Sequence, residues 1–318
     1  WAGGCVRDQI MGRTPNDFDV ATNATPAQVQ TCFRRRRTLS IGAAFGVITV
    51  LGNHSDHAIE VATFRCDAQY SDGRHPDGVT YSTAREDAKR RDFTMNGLFF
   101  DPIAETIIDF VDGQQDITAG IVRAIGDPFE RFAEDKLRML RAARFAANFG
   151  FRLDPATFKA IQQEAGKLNA VSAERIATEL RKMLTHPNRA RAARLLHEMG
   201  LLAVILPESK VLELDADCKP WLETLATLDA LEPTTFRVAA TALLHGVFRR
   251  MASGREAVLE ICGRWKLSNH ETKGILWLLA HEELVRHAAE TAWHRLQPIL
   301  VSPDVEELLT LSAAVAQV

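Results

Sequence analysis

The most restrictive feature of the sequence is the motif Gly3-Gly4-Cys5-Val6-Arg7-Asp8, which is followed by Asp17-Phe18-Asp19. Paired glycines allow the backbone to approach a ligand closely, and the helix N-terminus predicted after them attracts anions. Because side chains alternate along a strand, Asp17 and Asp19 are expected to point the same way. Two such carboxylates repel unless a cation lies between them, and Mg²⁺ is the hard cation that keeps open positions for phosphate oxygens. The two motifs together predict a metal beside a triphosphate-binding turn.

The length and composition are typical of a globular protein with more than one domain. The 318 residues are enough for two or three domains, and 46% of them are hydrophobic and 25% charged. No apolar run reaches the length of a membrane span, so no membrane partner is expected. The five cysteines are scattered without a Cys-x-x-Cys pair. This spacing argues against a zinc site and a disulfide framework, and it favours the reducing cytoplasm.

The net charge of −3 means that a polyanionic partner would need a local basic surface. Two runs offer one, Arg34-Arg35-Arg36-Arg37 and Lys89-Arg90-Arg91. A solvated surface without a partner is the alternative interpretation of such runs, and for the first run the two interpretations are about equally strong.

The first 126 residues are predicted to be mixed α/β. Two β-rich runs, 46–52 and 58–64, flank the turn cluster 53–56 and predict a hairpin. Thr25-Pro26 is typical of a capped helix start, and the helix is expected to run to about Phe33. Residues 67–87 are rich in Asp, Gly, Ser and Pro and are predicted to form a mobile loop.

From Asp127 the sequence is predicted to be helical. Asp127-Pro128 is typical of a helix start and Gly150 of a helix end, so one helix is expected over this range. Apolar residues at helical spacing predict its buried stripe: Phe129, Ala133, Leu137, Leu140, Ala143 and Ala147.

Three further groups of polar residues are candidates for the same site. Glu60 shares its strand face with Ala62 and Phe64, which is unusual for an unpaired carboxylate. A third carboxylate beside Asp17 and Asp19, acting as metal ligand or as base for a hydroxyl, would explain it. The alternative is a surface glutamate on an edge strand.

The run Arg90–Asn96 contains arginines that suit phosphate, and Asp92 and Asn96 that suit sugar hydroxyls; a capped helix start is the alternative. Farther along, Asp135 and Arg138 are spaced i and i+3 and are predicted to face one side of a helix. They would form a donor–acceptor pair for the edge of a base, or else an ordinary surface ion pair. Arg141 and Arg144 continue that side and would reach phosphates.

Four blocks in this order resemble the class II nucleotidyltransferases of the polymerase β superfamily. The group includes bacterial CCA-adding enzymes, their CC-adding and A-adding relatives, and bacterial poly(A) polymerases. The blocks are GGCVRD with DFDVAT, then EVATFR, RRDFTMNG and ERFAEDKLRMLRAARFAANFGF, and the resemblance is clear over about residues 1–210.

The resemblance implies an α+β chain. Its polymerase-β-like nucleotidyltransferase head, a mixed sheet with helices, precedes an all-α neck, body and partial tail. The expected bounds are 1–126 for the catalytic head, 127–185 for the base-recognising neck, 186–290 for the body, and 291–318 for the start of a truncated tail.

The resemblance also implies roles for individual residues. Asp17 and Asp19 would bind catalytic Mg²⁺, in a two-metal site to which Glu60 is the candidate third carboxylate. The residues expected to bind the nucleotide are Gly3, Gly4 and Arg7 for the triphosphate, Arg91, Asp92 and Asn96, then Asp135 and Arg138 for the base, with Arg141 and Arg144 as further contacts.

The implied reaction is template-independent addition of CMP and AMP, from CTP and ATP, to the 3′ end of tRNA with release of pyrophosphate. The oligomeric state and the set of nucleotides added stay open. Poly(A) polymerase and a CC-only or A-only enzyme are alternatives, and the short loop Tyr70–Tyr81 favours CCA addition. A non-catalytic RNA-binding module is the least favoured alternative, because pure binding needs no Asp17 and Asp19 pair.

Overall fold

The computed structural model describes residues 1–33, 38–52, 58–67, 79–215 and 217–318. The basic run 34–37, the hairpin turn 53–56 and most of the predicted loop, residues 68–78, lie outside this range. The described chain divides into two compact units. The first comprises Trp1–Arg138 with Phe151–Ala160, and the second Met139–Gly150 with Ile161–Val318.

The first unit is mixed α/β. Its elements in chain order, with α6 and α7 crossing the division between the units, are α1 (Gly4–Ile10), β1 (Val20–Thr22), α2 (Pro26–Cys32), β2 (Thr38–Leu39), β3 (Val47–Leu51), β4 (Ala58–Thr63), β5 (Arg65–Asp67), β6 (Val79–Tyr81), α3 (Ala84–Lys89), β7 (Leu98–Asp101), β8 (Thr106–Asp109), α4 (Gly113–Ala119), β9 (Ile121–Val122), α5 (Pro128–Glu134), α6 (Leu137–Phe149), β10 (Arg152–Leu153) and α7 (Pro155–Glu164).

The largest sheet has four strands in the order β1-β4-β3-β2. The predicted hairpin is confirmed as β3 and β4, which pair antiparallel with Ile48 opposite Val61 and Thr49 opposite Glu60. Strand β1 joins the other side of β4 in parallel. Glu60 therefore lies on a central strand and not on an edge, with its side chain exposed.

Helix α2 covers the other face of the sheet in the way that its sequence predicts. Thr25 and Gln28 form a reciprocal capping box at its start, and Pro26 is its first residue. Val29 of the helix is buried in one cluster with Ile48, Val50 and Val61 of the sheet. The alternation of buried residues along β3 is what a sheet with one covered face requires.

The prediction of a loop over residues 67–87 is wrong for its described C-terminal part. Residues Val79–Tyr81 form β6, which pairs with β5, and α3 follows at Ala84. The Thr83 hydroxyl accepts from the N–H of Glu86 and caps this helix. The helix was missed because it is only six residues long and follows a polar segment, so a period of 3.6 residues could not be detected.

The prediction of one helix from Asp127 to Gly150 is also wrong. Helix α5 ends at Glu134, Asp135 has extended backbone, and α6 starts at Leu137. The break changes which residues are buried: Phe132 is 1% exposed, whereas the predicted core residue Phe129 is 41% exposed. After the break the predicted stripe is confirmed, since Leu137, Leu140, Ala143 and Ala147 are buried.

The second unit is helical. Its elements after α6 and α7 are α8 (Ala173–Leu184), α9 (Arg189–Glu198), α10 (Leu202–Ile205), α11 (Lys219–Ala230), α12 (Phe236–Arg250), α13 (Gly254–Arg264), α14 (Asn269–Arg286), α15 (Trp293–Leu300) and α16 (Val305–Ala316). An α+β first unit with a helical second unit confirms the predicted fold class. The predicted domain bounds at residues 126, 185 and 290 stay predictions. In the described segments, no helix combines the length and apolar character needed to cross a bilayer.

A buried arginine joins three helices of the second unit. Arg189 is 1% exposed, and its guanidinium donates to the main-chain oxygens of Leu184, Leu228 and Leu231. These carbonyls lie at the C-terminal ends of α8 and α11, where main-chain oxygens lack helical partners. Burial lowers the pKa of Arg189.

We expect Arg189→Leu to lower the free energy of unfolding by roughly 2–4 kcal/mol, because three buried carbonyls lose their donor. Arg194→Leu, on the exposed face of the same helix, is the matched control and should change it by less than about 0.5 kcal/mol. Urea denaturation followed by circular dichroism measures both. Equal effects of the two variants would contradict a capping role for Arg189.

Candidate active site

The turn at residues 2–4 is held between two other segments of the first unit. The N–H of Ala2 donates to the carbonyl of Asp19 (3.0 Å), and the N–H of Gly3 donates to the carbonyl of Leu98 (2.9 Å). Gly3 has φ +72°, and a Cβ built there would lie 2.6 Å from Nη1 of Arg91. Only glycine fits both this backbone and this approach. The backbone therefore brings the start of α1, Asp19 and Arg91 to one place.

Arg7 braces this turn from the first helix. Its Nη1 donates to Oδ1 of Asn96 (2.7 Å), while Nε and Nη2 donate to Oδ1 of Asp8 (2.8 and 2.7 Å). A Cβ at Gly4 would lie 3.7 Å from Nη2, so the guanidinium folds back over the turn. The contact between Arg7 and a triphosphate stays a prediction, but Arg7 already links the glycine turn to the segment that carries Asn96.

The two aspartates precede strand β1 and do not lie within it, so the strand geometry predicted for them is wrong. Both side chains are exposed. The pKa of Asp19 is raised, first by removal of water from around its carboxyl and then by repulsion from Asp17 and Glu60, while Arg91 lowers it. Asp17 and Glu60 therefore both lie near enough to Asp19 to repel its charge.

A divalent cation fits the two aspartates. Across residues 1–33, 38–52, 58–67, 79–215 and 217–318, no three His, Cys, Asp or Glu side chains are arranged to hold a metal by themselves. Glu60 thus acts on Asp19 through its charge and is not placed as a third ligand. Mg²⁺ is commonly held by one or two carboxylates together with substrate phosphates and water. The exposed oxygens of Asp17 and Asp19, which repel each other without a cation, meet this requirement.

Arg91 lies directly against the glycine turn. Its Nη1 donates to the main-chain oxygen of Asn96 (3.2 Å), and its guanidinium lies 5.0 Å from the ring centre of Phe99. On its other side, Nε and Nη2 donate to Oδ2 of the buried Asp87 (3.2 and 3.1 Å). Contacts with three separate residues therefore fix the position of the Arg91 guanidinium.

Asp92 and Asn96 lie in the same hydrogen-bonded chain as Arg7. Oδ1 of Asp92 accepts from the N–H of Phe93 (2.8 Å) and from Nδ2 of Asn96 (3.0 Å), and Asn96 in turn accepts from Arg7. The side-chain amide of Asn96 thus links Asp92 to Arg7 of helix α1. Three predicted nucleotide-binding residues from two distant parts of the sequence are brought together.

A buried polar cluster supports the segment that carries Asp92 and Asn96. Thr94 donates through Oγ1 to Oδ2 of Asp116 (2.7 Å), and its N–H donates to the carbonyl of Arg123 (3.0 Å). The guanidinium of Arg123 pairs with Asp116 and Asp154. The hydrogen bond to Asp116 is the main reason that the pKa of Arg123 is raised. The segment that carries Asp92 and Asn96 is therefore held by this cluster as well as by Arg7.

Asp135 and Arg138 do not lie on one helix face as predicted. Asp135 is in the break before α6, where its Oδ1 accepts from the N–H of Leu137 (3.0 Å) and caps the helix. Arg138 donates through Nη1 to Oε2 of Glu134 (2.6 Å) and through Nη2 to the carbonyl of Arg90 (3.2 Å). Arg138 is thereby attached to the segment that leads into Arg91 and Asp92.

Arg141 and Arg144 belong to the second unit. The guanidinium of Arg144 lies 4.1 Å from the ring centre of Phe145, and that of Arg141 lies 5.2 Å from it. Nε of Arg144 also donates to Oε2 of the buried Glu179 (2.6 Å). The predicted phosphate contacts of both arginines stay predictions.

Sequence reasoning missed the acidic residues that hold these arginines. Asp8 orients Arg7, Asp87 orients Arg91, and Glu134 orients Arg138. Helical spacing was a usable signal for two of them, since Asp87 and Glu134 each precede their arginine by four residues. For Asp87 the signal was hidden by the wrong prediction of a loop.

Two family models match the chain. The model described as the poly A polymerase head domain matches residues 1–123, and the model described as a probable RNA and SrmB-binding site of polymerase A matches residues 150–212. The first match contains the glycine turn, the aspartates and the segment of Arg91, Asp92 and Asn96. The break that carries Asp135 and Arg138 lies between the two matches.

Curated proteins and a solved structure are similar to much larger parts of the chain. The CCA-adding enzyme of Geobacillus stearothermophilus is 42% identical over 227 residues, which are 70% of this chain and 55% of that enzyme. The CCA-adding enzyme of Lactiplantibacillus plantarum is 38% identical over 88% of this chain and 66% of its own length. The crystal structure of the Bacillus stearothermophilus CCA-adding enzyme in complex with CTP covers 100% of this chain and 74% of that one, with 32% identity and a TM-score of 0.80.

The chain belongs to the class II nucleotidyltransferases of the polymerase β superfamily. Membership of this family explains why the glycine turn, the paired aspartates and the Arg91-Asp92 segment occur in this order on one α+β unit. The chain spans about half the length of several curated relatives that it matches, with 55%, 45% and 49% of three of them covered.

We expect Gly3→Ala to weaken nucleotide binding by roughly tenfold or more, because its Cβ would displace the guanidinium of Arg91. Gly12→Ala is the matched control. Gly12 has φ +68°, similar to +72° at Gly3, but an added Cβ would meet nothing within 4 Å. Both glycines thus have a positive φ, and Gly3, with ψ −124°, also lies outside the left-handed helical region, so part of its loss would be backbone strain. Titration with CTP measures the effect, and an equal loss of affinity in both variants would show that the close approach to Arg91 is unimportant.

Proposed function

We propose that the chain carries out template-independent addition of CMP and AMP, from CTP and ATP, to the 3′ end of tRNA. The observation that carries the proposal is the hydrogen bond between Ala2 and the carbonyl of Asp19 (3.0 Å). It fixes the paired carboxylates beside a glycine turn that opens a helix. Relatives that are 42% and 38% identical over 70% and 88% of this chain are named CCA-adding enzymes.

The reaction that fits this site is an in-line phosphoryl transfer. The 3′-hydroxyl oxygen of the RNA attacks the α-phosphorus, the bond to the bridging oxygen breaks, and pyrophosphate leaves. Phosphoryl transfer depends mainly on positioning and on offsetting charge. In this proposal the glycine turn and Arg91 would receive the phosphates. Asp92, which is linked through Asn96 to Arg7, would accept from a sugar hydroxyl.

We further propose that Asp17 and Asp19 hold Mg²⁺, in a two-metal site. When bound, the metal would offset charge on the attacking and leaving oxygens. Glu60 is proposed as the base for a hydroxyl in the same region, since its charge acts on Asp19. All five cysteines are free thiols in the structure, which supports the proposal of a cytoplasmic location.

Base choice is assigned to the break between α5 and α6. Asp135 and Arg138 supply an acceptor and a donor, and Arg138 is tied to the carbonyl of Arg90. Such a pair can hydrogen-bond to the edge of a base without a nucleic-acid template. Arg141 and Arg144 are proposed as further contacts, with Phe145 as an aromatic surface beneath both of their guanidinium groups.

Poly(A) addition is the second candidate function, because both matching family models carry the description of that polymerase. Addition of CC only or of A only uses the same residues. Incubation of tRNA lacking its 3′ CCA with CTP alone, with ATP alone and with both together, followed by sequencing of product ends, distinguishes them. Products that end in CCA support the proposal, whereas long A tracts or no extension would refute it.

We expect Asp17→Asn or Asp19→Asn to lower the rate of transfer by roughly 10³-fold, which corresponds to about 4 kcal/mol of barrier. The fold should be unaffected because both side chains are exposed. Glu130→Gln, another exposed acidic residue of the first unit, serves as the control and should keep its rate. Single-turnover extension of a tRNA ending in the discriminator base measures the rates. Rates within about tenfold of the unaltered chain would remove these aspartates from the catalytic site.

A separate prediction concerns base choice at Asp135. Asp135→Ala should relax selection of C and A over U and G, but it also removes the cap of α6, worth about 1 kcal/mol. Asp135→Asn keeps an oxygen that can cap the helix while replacing one acceptor by a donor. Both variants should incorporate U and G more readily, as measured by competition among the four nucleotides. Unchanged ratios in both would leave Asp135 with a structural role alone.

A further inference from the structure

Asp87 is a buried carboxylate that the proposed reaction does not use. Its side chain is 2% exposed, and it lies on α3, one residue before Ala88. Ala88 packs in one cluster with Ala2 and Phe99, so this helix lies directly beneath the glycine turn. A carboxylate is rarely buried to this extent unless it is paired.

Two consecutive arginines share this carboxylate. Arg90 donates through Nε to Oδ1 (2.8 Å), with its Nη2 at 2.7 Å from the same oxygen. Arg91 donates through Nε and Nη2 to Oδ2. Each arginine thus occupies one oxygen of Asp87. Without the carboxylate, two neighbouring cations would repel each other in a poorly hydrated place.

Asp87 also connects helix α3 to strand β5. Its Oδ1 accepts from the N–H of Arg65 (3.4 Å), the first residue of β5. The carboxylate therefore contacts the end of one strand and both arginines that precede Asp92. Asp87 is held by its own helix and by the backbone N–H of Arg65. It can therefore orient arginine side chains, which are otherwise flexible.

The direction in which Asp87 holds Arg91 decides where that guanidinium lies. Nη1 of Arg91 is 2.6 Å from the position of a Cβ on Gly3, and its charge acts on the carboxyl of Asp19. Arg91 therefore lies between the glycine turn and the aspartate pair. A shift of about 1 Å at such a place can cost a large factor in activity.

We propose that Asp87 is a positioning residue that holds Arg91 against the glycine turn for the nucleotide's phosphates. The inference rests on the proposed function, because it assigns to Arg91 a phosphate or sugar contact shared by CTP and ATP. Loss of Asp87 should weaken both nucleotides alike and leave base choice unchanged, since Arg138 bonds to the main-chain oxygen of Arg90 and not to a side chain that Asp87 orients.

The test compares Asp87→Asn with Glu86→Gln. Glu86 is the neighbouring acidic residue on the same helix and pairs with the exposed Lys89 at 3.5 Å. We expect Asp87→Asn to raise KM for CTP and for ATP by roughly tenfold or more with a smaller change in kcat, and to keep the ratio of C and A to U and G. Glu86→Gln should match the unaltered chain.

A double-mutant cycle separates positioning from general stability. If Asp87 acts through Arg91, Asp87→Asn should not raise KM further when Arg91 is already Lys, because lysine lacks the fork that the carboxylate orients. A loss of melting temperature with unchanged KM for both nucleotides would overturn the proposal. An equal further increase of KM in the Arg91→Lys background would overturn it as well.

A second variant keeps the test decisive if Asp87→Asn does not fold. Asp87→Glu retains the charge but moves the carboxylate by one methylene. A raised KM that disappears in the Arg91→Lys background supports the proposal, and an unchanged KM overturns it. The unaltered chain is assayed in parallel on tRNA lacking its 3′ end. Failure of that chain to extend the tRNA would refute the proposed function, a result distinct from any difference between the variants.

Discussion

The site depends on the hydrogen bonds that hold residues 2–4 between Asp19 and strand β7. The N–H of Ala2 reaches Asp19 and the N–H of Gly3 reaches Leu98. Main-chain hydrogen bonds of this kind are lost only at the cost of leaving buried groups unpaired. They therefore set the distance between the glycine turn and the aspartate pair with little help from side chains. The side chains of Asp17 and Asp19 can then be exposed while their backbone keeps its position.

Acidic residues around this turn fall into two groups with opposite surroundings. Asp17 and Glu60 repel the carboxylate of Asp19, whose pKa is raised first by burial and then by this repulsion. In contrast, Asp8 and Asp87 are each paired with arginine at 3.1 Å or less. The first group is short of positive charge and is suited to a cation, whereas the second group is already neutralised and orients its arginines. The acidic residues proposed for the reaction thus lack a cationic partner of this kind in the described part of the chain, whereas the acidic residues that orient arginines are neutralised by them.

Much of the fold could be predicted because its signals are local. The capping box at Thr25, the alternation along β3 and the apolar stripe from Leu137 each follow from backbone geometry and burial. The break at Asp135 could not be predicted, since Asp127-Pro128 and Gly150 are proper ends for one helix. At the break, Arg138 donates to the distant carbonyl of Arg90. Tertiary hydrogen bonds of this kind leave no periodic trace in a sequence.

The same break gives Asp135 and Arg138 separate backbone supports. A continuous helix would place Asp135 and Arg138 on one face, at a spacing fixed by the helix. In the structure Asp135 is outside both helices and caps α6, while Arg138 is inside α6 and held by α5 through Glu134. The two side chains therefore depend on different backbone segments, so a substitution at one of them need not displace the other.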